Sequence, residues 1–186
     1  MRMKVLVPVI LSLIPSVLLC ARDATDGGVK QGTAAPSAPE IRRMIHAKGA
    51  KAALTDLTSD TEKWNGVLDK MAQGEQEWLA LVIELYKVAD GGAALDLGIV
   101  SAEALATAPK RVLEMLEPVV GLDTLCQNDA SVGLDFQVAV RKIGARRSAV
   151  TGIRDVKLAE KRLRCLTMLE TLEKDIRAAK DRGDMN

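Results

Sequence analysis

Gly74 stands between two segments whose apolar residues recur at a helical period, and this pairing constrains the fold more than any other feature of the chain. Before it, Trp64, Val67, Leu68 and Met71 fall at i, i+3, i+4 and i+7, one stripe along an α-helix. That helix is expected to open at Ser59-Asp60-Thr61-Glu62, with Ser59 and Glu62 as a capping box, and to run to about Ala72. After Gly74, the acids Glu75 and Glu77 suit the positive end of a helix dipole. The second helix then runs to Tyr86, ahead of Asp90-Gly91-Gly92. So short a connection makes the two an antiparallel hairpin, packed through Trp64, Leu68, Trp78 and Val82.

Composition agrees with helices. Among 186 residues the only aromatics are Trp64, Trp78, Tyr86 and Phe136, so the core must be aliphatic and alanine-rich. Such a core suits close-packed helices better than sheets, which draw on β-branched and aromatic residues. Further segments read as helices from Pro39 to near Gly49, from Leu95 to Thr107, and from Pro109 to Glu117, with Pro118 beyond the last. Two more run from about Leu134 to Val150, interrupted at Gly144, and from Arg154 to about Lys180. The stretch from Val119 to Gly133 reads as a loop with one turn at Cys126.

The expected fold is therefore all-α, six or seven helices stacked as antiparallel hairpins, with a long C-terminal helix. Sliding the chain by 34 positions sets Met71 on Leu105, Trp78 on Val112, Leu79 on Leu113 and Val82 on Leu116, with Gly74 falling beside Pro109. This weak repeat has two readings, a small HEAT-like or TPR-like solenoid or an irregular bundle whose hairpins match because all amphipathic hairpins do.

The N-terminus reads MRMKVLVPVILSLIPSVLLC, a basic start followed by apolar residues from Val5 to Leu19 with Pro8 and Pro15. That run is shorter than the roughly 20 residues a membrane-spanning helix needs. The expected organisation is a signal peptide over residues 1–21, a flexible linker over 22–39, one helical domain over 40–182 and a disordered tail over 183–186. Cys20 is either removed by cleavage after Ala21 or kept as a lipid anchor. Leu19 is larger than the small residues that precede a lipidated cysteine, and the polar linker fits both cases. Export would place the domain in the periplasm or outside the cell, with the outer membrane as the alternative for a lipidated form. In an oxidising compartment Cys126 and Cys165 would form a disulfide; otherwise they are two separately buried thiols.

Charge is near balance overall but uneven along the chain. Residues 21–140 carry 11 basic and 18 acidic side chains, whereas 141–186 carry 13 and 7. Arg141, Lys142, Arg146, Arg147 and Arg154 form a basic cluster whose readings are a surface for an acidic protein partner or anionic lipid headgroups, or compensation within the molecule. Nucleic acid is not an expected ligand, since aromatics for stacking are so few. Catalytic chemistry has little to draw on: His46 is the sole histidine, and neither C-x-x-C nor G-x-S-x-G nor H-E-x-x-H occurs. No metal or cofactor is expected. Glu75, Glu77 and Glu84 are acids of the kind found on any exposed helix face. Trp64, Trp78 and Tyr86 read as core residues, with partner anchoring as the alternative.

The pattern Trp64-x-x-Val67-Leu68, Gly74-x-x-x-Trp78-Leu79, Pro109-x-x-Val112-Leu113, Leu125-Cys126 and Arg164-Cys165-Leu166 resembles small exported helical proteins of Gram-negative bacteria that have no assigned activity. The resemblance implies an exported helical domain with a cysteine pair. The expected function is a non-enzymatic binding or scaffolding module of the cell envelope, including an immunity-type inhibitor of an envelope-targeted toxin. The alternatives are a lipid-anchored structural protein and a carboxylate-dependent hydrolase.

Overall fold

In the computed structural model, residues 35–127 and 135–184 are described. The signal peptide, Cys20 and most of the linker lie outside them. Ten α-helices and no strand occur among the described residues. They are α1 Ala38–Lys48, α2 Ala50–Thr58, α3 Thr61–Ala72, α4 Gln76–Tyr86, α5 Gly91–Thr107, α6 Pro109–Met115, α7 Glu117–Val120, α8 Leu122–Gln127, α9 Phe136–Thr151 and α10 Ala159–Asp181. A short 3-10 turn, Val156–Leu158, leads into α10, which at 23 residues is the longest helix.

Capping residues set several of the starts. At α1 the Ser37 amide and hydroxyl both donate to the Glu40 carboxylate, at 2.7 and 2.6 Å. These bonds, the hydroxyl's first, hold the Glu40 pKa below its ordinary value. Helix α3 is capped one residue later than expected: Asp60, not Ser59, accepts the Lys63 amide at 3.0 Å, while Ser59 closes α2 by donating to the Asp56 carbonyl. Helix α2 has no counterpart in the expected set. Its buried face is only Ala53, Leu54 and Leu57, too slight a stripe to stand out in the sequence.

The core is organised around α5. Leu97, Gly98, Val100, Ser101, Ala102, Ala104 and Leu105 are all buried, which is most of its circumference. A helix apolar on nearly all sides belongs in the middle of a domain. The one buried hydroxyl on it, Ser101, is satisfied by donating to the Leu97 carbonyl at 2.6 Å. Helices α3, α8 and α9 pack broadly on α5, and α10 lies against α8 and α9. The expected α3–α4 hairpin is present, but α3 makes its wider contact with α5. Trp64 is buried there and its indole N–H donates to Asp96 of α5 at 2.8 Å.

Several expected breaks are not breaks. As far as Gln127, the segment expected as a loop is helical. Pro118 sits in the first turn of α7, where a missing amide costs no bond, and Gly121 takes φ 86 between α7 and α8. Residues 128–133 of that expected loop lie outside the described residues. Helix α9 runs unbroken through Gly144. The last helix starts five residues later than expected, because Asp155 accepts the Lys157 amide at 3.0 Å and sets the 3-10 turn first.

Candidate partner-binding groove

Helix α5 ends at Thr107 because Pro109 disfavours a helical residue before it, and Pro109 then opens α6 as its first residue. The turn between them rests on the turn between α3 and α4. Thr107 donates its hydroxyl to the Gln73 carbonyl at 3.1 Å, and Arg111 donates from its guanidinium to the Gly74 carbonyl at 2.7 Å. Gly74 is required at this contact. Its φ is 74°, and a Cβ there would lie 2.6 Å from the Ala108 methyl.

Across from α6 stands the connection from α9 to α10. Arg162 donates to the Ile153 carbonyl at 2.7 Å, and Lys110 of α6 reaches across to Asp155 at 2.8 Å. Between these walls runs an open groove of about 990 Å³. Met115, Ala149 and Ile153 are among its apolar lining, and Gln76 at the start of α4 also lines it.

The charges of the groove do not cancel evenly. Both its acids are committed to Lys110, Asp155 at 2.8 Å and Glu114 at 3.6 Å. The hydrogen bond to Asp155 is the main cause of the raised Lys110 pKa. The same bond, aided by the Lys157 amide, lowers that of Asp155. Arg111 spends one donor on Gly74, and Arg154 on the rim is exposed with no partner among the described residues. The lining thus carries three cations, Lys110, Arg111 and Arg154, against two acids, Glu114 and Asp155, a net charge of +1.

The five residues of the expected basic cluster are dispersed by the fold. Lys142 pairs with Glu103 of α5, and Arg147 with Glu173 of α10 at 2.7 Å. Arg146 is 3% exposed and engaged in the interior. Arg141 is exposed on α9, and Arg154 alone lines the groove. Cys126 of α8 and Cys165 of α10 are joined in a buried disulfide with their Cα atoms 5.4 Å apart. Trp64 and Trp78 are core residues, while Tyr86 is half-buried beside a smaller hollow of about 380 Å³. His46, Glu75 and Glu77 are exposed. No cluster of His, Cys, Asp or Glu that could hold a metal, and no helix long and apolar enough to cross a membrane, occurs among the described residues.

Lys110, Arg111 and Asp155 are not prominent in the sequence, though one signal was there. Two cations in the first turn of a helix oppose its dipole, so something else must hold them. Here Asp155 and the Gly74 carbonyl do. No family model matches the chain, and neither a curated protein nor a solved structure is similar to it.

Proposed function

We propose that this chain is an exported, non-enzymatic helical module that binds a partner protein of the cell envelope, with the groove between α6 and the α9–α10 connection as the seat. The observation that carries this reading is the groove itself: a lining that joins Met115, Ala149 and Ile153 with one more cation than acids, Arg154 having no partner among the described residues. Hydrolysis by a carboxylate pair fits it poorly, because both acids share Lys110 and the Asp155 pKa is lowered, the opposite of what a general acid needs. The disulfide is consistent with an oxidising, extracytoplasmic location. An immunity-type inhibitor is one form such a module takes; a protein tethered through Cys20 is another, and in it the linker would give the groove reach.

The side-by-side turns at Gly74 and Ala108, 34 positions apart, support a reading of α3–α4 and α5–α6 as two stacked hairpins. Stacked hairpins act by presenting a surface. The test is photo-crosslinking in cells that produce the protein naturally, with a photoreactive residue replacing Met115 in the groove or Lys174 on the exposed face of α10. A discrete adduct from position 115 and none from 174 is the expected result. Equal labelling from both, or none from either, would remove the groove as the seat.

A further inference from the structure

Taking the groove as the partner's seat, we infer that it accepts a polypeptide segment carrying carboxylate beside aliphatic side chains. The inference rests on charge complementarity. The groove holds one more cation than acids, both acids lie on Lys110, and what stays open to a ligand is Arg154 and the donors Arg111 does not use on Gly74. A guanidinium takes a carboxylate through two parallel hydrogen bonds, and both groups are placed to do so without giving up an internal partner. The apolar lining, and next to it in the chain Val156, 86% exposed directly after Asp155, offer contacts for aliphatic groups. These requirements together describe an acidic, leucine-like strip of polypeptide.

A membrane surface fits less well. The Arg111 guanidinium is fastened to Gly74 at the groove wall, and a flat bilayer does not follow a concave surface as a polypeptide segment does.

The experiment is a titration of the oxidised mature protein, followed by amide chemical shifts, with an acetylated and amidated peptide of alternating leucine and aspartate. Parallel titrations use a leucine–lysine peptide, a serine–aspartate peptide and vesicles containing anionic lipid. Saturable shifts at Arg111, Met115 and Arg154 with the leucine–aspartate peptide alone are expected. Arg154→Glu should weaken that binding by about fivefold, as reversing one exposed ionic contact does, with melting temperature unchanged. Lys174→Glu, the same charge change outside the groove, should leave the affinity as it was.

Equal binding of the lysine or serine peptide, response to vesicles in place of peptide, or no saturable shift would each overturn the inference. Its failure is separable from that of the groove itself. A crosslink at position 115 to a partner segment without acids would leave the seat standing and refute only the chemistry assigned to its occupant.

Discussion

At the scale of single residues, caps and glycines set where the helices of this fold begin and how closely their turns approach. Asp60 caps α3, and its replacement by Ala should cost about 1 kcal/mol in urea denaturation, whereas Ser59→Ala should cost only a few tenths. The two serve as a pair, because sequence alone favours Ser59 and the geometry favours its neighbour. Gly74 and Gly144 make a similar contrast. Gly74→Ala meets both a positive φ and the Ala108 methyl, so it should destabilise by more than about 1 kcal/mol. Gly144→Ala sits inside α9 with open space around the new methyl and should stabilise by about 0.5–1 kcal/mol. An opposite sign at either glycine, read by chemical denaturation, would show that the local backbone is not as described.

At the scale of elements, the start of α10 is fastened to α6 by the Lys110–Asp155 pair, and its pH response has a definite sign. Asp155 has a folded pKa below its ordinary 3.8, so its contribution is present above that value and lost as pH falls through the depressed one. Lys110 is raised above 10.5, so its contribution is present below 10.5 and lost as pH rises through the raised value. The melting temperature of wild type should therefore exceed that of Asp155→Asn across the neutral range, and the gap should begin to narrow near pH 3.8 and close only as pH falls through the depressed pKa. A gap independent of pH would mean the ion pair is not what holds the two elements.

The sequence revealed α3 and α4 well because each combines a clear apolar stripe with a turn at Gly74. It did not reveal α2, whose buried face is small, nor α7 and α8, because Pro118 and Gly121 read as breakers until their places at a first turn and an inter-helix kink are known. The groove was hidden for a different reason. Gln76, the residues around Pro109 and the Ile153–Asp155 connection are far apart in the chain and meet only in the packed domain. Of the residues lining it, Arg154 alone is a candidate binding residue in the sequence, while Thr107 and Pro109 read only as helix boundaries.

At the scale of the whole molecule, the Cys126–Cys165 disulfide ties α8 to α10 across 39 positions of chain. Closing a loop of about 40 residues is worth about 4 kcal/mol in the chain-entropy treatment, a large share of a domain's net stability. Replacing both cysteines with Ala should lower the urea midpoint accordingly while leaving the helical content near that of the native protein. Part of the uneven charge of the two halves meets across the fold, in the links Lys142–Glu103 and Lys161–Glu117. What is left over includes the guanidinium charge at the groove.

All of this supposes a protein that works oxidised and outside the cytoplasm, and one measurement tests that supposition most directly: the intact mass of the naturally produced protein, with and without reduction. The account predicts a chain starting at Ala21 or Arg22 that gains two hydrogens on reduction. A start at an acylated Cys20 with the same gain would make it a tethered form of the same module. A chain that retains Met1, or whose mass reduction leaves unchanged, would contradict the account.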